Sequence, residues 1–69
     1  MTMKYRFSSQ VLHARERRRL TQEQAAELFD ISRRWYQLIE KGEYLPNTEL
    51  ALTIMAEFEI DGKSLREGA

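Results

Sequence analysis

Cysteine is absent from this 69-residue chain, which removes disulfide frameworks and thiolate metal sites and fits a reducing compartment. The single histidine, His13, has no partner set at zinc-like spacing, so no metal site is expected. A glycine-rich phosphate loop is missing, as is a convergent pair of carboxylates on a pocket-forming scaffold. The expectation is therefore a protein that is not an enzyme and takes no cofactor. No apolar run approaches the ~20 residues that span a bilayer, and residues 1–7 lack the apolar stretch of a signal peptide. A cytoplasmic protein with no membrane contact is expected. Proline occurs once and glycine three times, no segment is low-complexity, and the only strand-like stretch, Tyr5-Arg6-Phe7, is too short to count. What is left is an all-α reading: short helices, tight connections and one domain over residues 1–69. A chain of this size buries only about 60% of its unfolded surface, so its core must be contiguous.

Net charge is also missing, with eleven basic residues balancing eleven acidic ones. A phosphate-binding surface is expected to be basic, but charge along the chain is unevenly placed. Through residue 34 there are eight basic residues against four acidic, and from residue 35 onward three against seven. Such polarity predicts weak non-specific binding to polyanions with a steep salt dependence.

Helix signals divide what remains. Ser8 is a candidate N-cap for a first helix to about Arg18, with Phe7 placed to staple onto Leu12, and Val11 and Ala14 recur with Phe7 at helical spacing. Thr21 and Gln24 form a capping-box pattern that opens a second helix over residues 22–29. Asp30, a residue type that tolerates the left-handed conformation, marks the turn. Ser32 can cap a third helix from Arg33 to about Lys41, closed by Gly42. Asn47 can cap a fourth to about Glu59, with Ala51, Ile54, Met55 and Phe58 on one face, and Asp61 a short fifth carrying Leu65. The expectation is a compact bundle of five short helices.

Residues 21–42 thus read as two short helices joined by a tight turn, the second opening with Arg33 and Arg34. At about 100° per residue, Ser32, Tyr36, Ile39 and Glu40 point to the core while Arg34, Gln37, Leu38 and Lys41 point away. Arginine matches the acceptors of guanine, glutamine pairs with adenine, and an aliphatic residue sits on a thymine methyl, so this face has the inventory to read a major groove. A solvated helix face explains the same charges equally well from spacing alone.

The residues also carry a resemblance. Arg15, Leu20-Thr21-Gln22-Glu23-Gln24, Ala26, Ile31-Ser32-Arg33, Ile39-Glu40-Lys41-Gly42, Pro46 and the spacing of Ile54, Phe58 and Ile60 resemble the Cro/C1-type helix-turn-helix family, or xenobiotic-response-element (XRE) family, of bacterial and phage regulators. The resemblance covers residue 11 to about residue 60. It implies a lambda-repressor-like DNA-binding domain with its helix-turn-helix core at residues 21–42. It further implies that Gln22 meets a backbone phosphate, that Arg33, Arg34, Gln37 and Leu38 read base edges, and that Lys41 touches phosphate. Arg15 and Glu40 match a pair that joins the first and third helices in relatives, and are left out of the reading set for that reason.

Some positions depart from the family pattern. Asp30 stands where glycine is usual, Ala25 where leucine is common, and Tyr36 where a branched aliphatic is usual. Trp35 and Leu38 are unusually apolar for the flank of a reading helix, and Tyr44 and Leu45 for the following loop. The function implied is a sequence-specific regulator of transcription, a repressor in the first reading, bound to double-stranded DNA at a pseudo-palindromic operator. A homodimer would form through the region of Phe58, Ile60 and Leu65, or only on DNA. The setting implied is a bacterial or phage-encoded protein of the nucleoid. The competing reading is a protein-interaction module of the same fold, an antitoxin or anti-regulator, with its partner at Trp35 and Leu38.

Overall fold

The computed structural model describes residues 3–60, which form four helices: α1 Met3–Arg17, α2 Gln22–Leu28, α3 Arg33–Glu40 and α4 Thr48–Glu57. The expected fifth helix, with Asp61 and Leu65, lies outside the described residues.

Three starts follow their local signals. Thr21 and Gln24 exchange both bonds of the capping box: the Thr21 amide donates to Gln24 Oε1 at 2.8 Å, and the Gln24 amide to Thr21 Oγ1 at 3.0 Å. Ser32 Oγ accepts from the Trp35 amide and Asn47 Oδ1 from the Leu50 amide, opening α3 and α4. The start of α1 corrects the expectation at Ser8. The helix begins five residues earlier, and Ser8 lies buried inside it, its hydroxyl donating back to the Tyr5 carbonyl at 3.0 Å. Phe7 is accordingly a core residue of α1 and no staple to Leu12, which is half-buried. Tertiary packing overrides the cap signal here: a Cβ added to Gly42 would lie 2.9 Å from the Tyr5 ring and 3.1 Å from Ser8 Oγ, so the early turns of α1 rest on the bare backbone that follows α3.

The four helix ends share one device. After each helix one residue takes positive φ: Arg19 (56°), Asp30 (55°), Gly42 (79°) and Glu59 (55°). Each time, the amides of that residue and the next reach back to two of the last carbonyls. Arg19 donates to Glu16 and Leu20 to Arg15; Asp30 to Glu27 and Ile31 to Ala26. Gly42 donates to Ile39 and Glu43 to Leu38, and Glu59 to Ala56 and Ile60 to Met55. This is the Schellman closure. In three of the four, the residue after the turn is apolar, and Leu20, Ile31 and Ile60 each pack on the core.

That core joins Phe7, Val11 and Ala14 of α1 to Ala25, Ala26 and Phe29, to Tyr36 and Ile39 of α3, and to Ile54, Phe58 and Ile60. Small Ala25 and Ala26, both buried, let α2 lie close to α3, and the Tyr36 ring is completely buried in the same core. Phe29 meets Phe58 edge-to-face at 5.1 Å, tying the turn after α2 to the end of α4. Among the described residues no helix is long and apolar enough to cross a membrane.

Candidate nucleic-acid interface

The third helix is fixed from behind by Tyr36 and Ile39, both fully buried. At 3.6 residues per turn this leaves Arg34 and Lys41 at the centre of the opposite face, flanked by Arg33 and Gln37 on one side and Leu38 on the other. Arg33, Arg34 and Lys41 are exposed, and Gln37 and Leu38 are half-buried. Among the described residues, the Arg33 and Arg34 side chains enter neither a hydrogen bond nor an ion pair. They stand in the first turn of α3, at the positive end of the helix dipole, where cations are disfavoured. Among the described residues, no polar contact within the fold uses these two guanidinium groups.

The other end of α3 is anchored. Arg15 reaches across from α1 and grips Glu40 with two bonds of 2.8 Å, Nε to one carboxylate oxygen and an Nη to the other, while its second Nη donates to the Leu20 carbonyl at 2.9 Å. Burial alone would raise the Glu40 carboxyl, but contacts from Arg15, Tyr36 and Gln22 outweigh it and hold the group below the ordinary glutamate range. The Glu40 bond in turn raises the Arg15 pKa. Tyr36 Oη is buried without a well-formed hydrogen bond of its own. Burial, and then the adjacent Glu40 carboxylate, push its pKa upward.

The grip extends toward the outer face. Gln22 Nε2 donates to Glu40 Oε1 at 3.1 Å, and Gln37 Nε2 donates to Gln22 Oε1 at 3.1 Å. Gln22 and Gln37, expected to serve a partner, are therefore first bound to each other and to the Arg15–Glu40 pair. The expectation that Gln37 faces wholly outward misses this, because its partner Gln22 lies fifteen residues away on another helix.

Other charged and aromatic residues also make contacts within the fold. Arg18 donates to the Glu57 carbonyl at 3.1 Å and to its carboxylate at 3.3 Å, capping the end of α4, and its guanidinium lies 5.6 Å from the Phe58 ring centre. Nothing in the spacing of the Arg17-Arg18-Arg19 run singled out Arg18. Trp35 leans on Tyr44, ring centres 4.5 Å apart, so the loop after α3 partly covers this apolar flank. The proposed dimer contact is corrected at two positions: Phe58 and Ile60 are 2% and 7% exposed and belong to the subunit's own core. Leu65 lies outside the described residues.

Two short helices joined by a left-handed turn, the second held from behind by buried side chains and edged with arginine, constitute the geometry of a helix-turn-helix. A family model described as a helix-turn-helix domain matches residues 6–67. The chain belongs to this family. No curated protein and no solved structure gives a significant match. Within the helix-turn-helix domain, α2 and α3 are the paired helices, Asp30 is the turn residue at φ 55°, and α1 and α4 form the support behind them. Membership makes DNA the expected partner.

Proposed function

We propose that the protein is a sequence-specific DNA-binding regulator of the Cro/C1 (XRE) type, a repressor that inserts α3 into the major groove from its Arg33 end. The observation that carries this reading is the pair Arg33 and Arg34, exposed, unpaired among the described residues and set against the helix dipole, on a scaffold whose four helix C-terminal ends are each closed. Arg34 is the guanine-reading candidate and Arg33 the residue entering deepest; Leu38 sits against a thymine methyl, and Lys41 meets phosphate. Gln22 has one amino hydrogen engaged by Glu40, and its second is available to a phosphate beside the groove.

A single helix reads only a few base pairs, so two copies on a pseudo-palindrome, with half-sites about one helical turn (~34 Å) apart, supply useful specificity. Residues 1–69 act as one helix-turn-helix domain in this reading. With Phe58 and Ile60 inside the core, the exposed apolar side chains Leu45 and Leu52, which border one groove beside Pro46, are the contact favoured for a second copy. The test is selection of bound duplexes from a random pool at low and moderate salt. An enriched inverted repeat whose affinity falls steeply with salt is the expected result. A folded protein that enriches nothing overturns the reading and favours the protein-interaction alternative, whose natural surface is Trp35 with Leu38.

A further inference from the structure

The chain Arg15–Glu40–Gln22–Gln37 has a direction. Glu40, gripped by Arg15 at 2.8 Å, is an ionised carboxylate and can only accept. Gln22 must therefore turn its amino group toward Glu40, which leaves its carbonyl oxygen facing Gln37. That oxygen also only accepts, so Gln37 must in turn present its own amino group to Gln22. Flipping either amide would set oxygen against oxygen or nitrogen against nitrogen. The Gln37 carbonyl oxygen is thereby directed away from Gln22, and one Nε2 hydrogen stays uncommitted.

We propose that Glu40, acting through Gln22, positions the Gln37 amide with its acceptor outward, and that this makes Gln37 select adenine at one position of the binding site. Adenine offers the matching edge, an N6 donor beside the N7 acceptor. Guanine shows two acceptors, O6 and N7, of which the outward oxygen can use neither; cytosine offers a donor with no acceptor beside it, and thymine an acceptor with a methyl group. A freely rotating glutamine could satisfy any of these edges in part, whereas an oriented one discriminates. Glu40 touches no DNA in this scheme and is a positioning residue. The base assignment rests on the groove reading proposed above, whereas the orientation of the amides does not.

Two readouts test it. In the DNA-free protein, side-chain amide NMR of Gln22→Met and of Glu40→Gln reads the relay itself. The Gln37 amide signals should move to the positions of an unbonded glutamine in Gln22→Met, a variant that leaves the Arg15–Glu40 pair intact and so keeps the fold, and should also move in Glu40→Gln. Gln37 signals unchanged in Gln22→Met overturn the relay. In duplex selection, Gln22→Met should weaken all duplexes alike through its lost phosphate contact and, beyond that, lower adenine enrichment at a single position about tenfold while the preferences governed by Arg33 and Arg34 persist. Gln37→Glu, with acceptors only, should move that same position toward cytosine. Loss spread evenly over all positions would overturn the specificity role. A pool in which even the wild-type protein enriches nothing overturns the operator reading and the base assignment with it, while the NMR spectra still decide whether Glu40 orients the pair.

Discussion

The two ends of α3 obey opposite rules. At its C-terminal end a carboxylate is taken out of water, matched by a two-pronged arginine, and followed by a glycine closure on which α1 rests. At its N-terminal end two guanidinium groups stand exposed and unpaired, with the helix dipole opposing them. Eight residues thus span a stabilised terminus and one held ready for a partner. The contrast teaches that charge alone does not mark function in this domain: Arg15, Arg18 and Glu40 support the fold, and Arg33 and Arg34 are left over.

The comparison breaks most sharply at the anchored end. Arg15→Met leaves Glu40 buried with no counter-charge and should cost about 3–5 kcal/mol in chemical denaturation. Arg15→Met combined with Glu40→Met should recover much of that loss, because neither charge then needs solvation. A loss below about 1 kcal/mol for the single variant would show that the pair behaves as a solvated surface bridge. Acid should find the same weakness. The folded state holds Glu40 below its ordinary pKa, so its contribution is fully present above the ordinary glutamate range and disappears as pH falls through the lowered folded value. A urea midpoint that declines on acidification in the wild type, and declines less in the double methionine variant, is the expected pattern.

At the other end, effects should appear in binding and not in folding. Arg34→Ala should weaken the best duplex by about 1–3 kcal/mol and relax preference at one base position. Lys41→Ala should weaken all duplexes evenly and reduce the salt slope by about one. Arg34→Glu should abolish binding yet raise stability by about 0.3–1 kcal/mol, since an acidic residue in the first turn suits the dipole. A destabilised Arg34→Glu would mean that the N-terminal end is part of the scaffold after all.

Much of this division was legible in the sequence. Thr21, Ser32 and Asn47 announce their helices because a cap is a local interaction, complete within four residues. The alternation of buried and outward positions on α3 follows from helical period alone, and it placed Tyr36, Ile39 and Arg34 correctly. The start of α1 was not legible, since it depends on Tyr5 and Ser8 meeting Gly42, more than thirty residues away. For the same reason the roles of Arg18 and Gln37 were hidden. Each is decided by a partner brought near by folding, Glu57 for one and Gln22 for the other. The sequence shows the apolar character of Phe58 and Ile60, which suits a dimer contact, and does not show the ring of Phe29 that meets Phe58 inside the fold.

The smallest expected effect concerns the turn that separates α2 from α3. Of the four positive-φ closures, only that after α3 uses glycine; Arg19, Asp30 and Glu59 adopt the same conformation with a side chain attached. The left-handed region costs a residue with a Cβ about 1–2 kcal/mol, and glycine returns roughly 0.4–1 kcal/mol of that through the greater freedom of the unfolded chain. Arg19→Gly and Glu59→Gly should therefore each stabilise the domain by about 0.5–1 kcal/mol. Asp30→Gly should gain less, because aspartate enters this region more readily than arginine or glutamate. In binding the order should reverse. Asp30 is the one exposed anion of the three set between the paired helices, so its removal should tighten DNA at low salt, and Asp30→Asn should tighten it equally without the glycine effect. Equal behaviour of Asp30→Gly and Glu59→Gly in both assays would mean that the turn is only a closure and that phosphates do not pass near it.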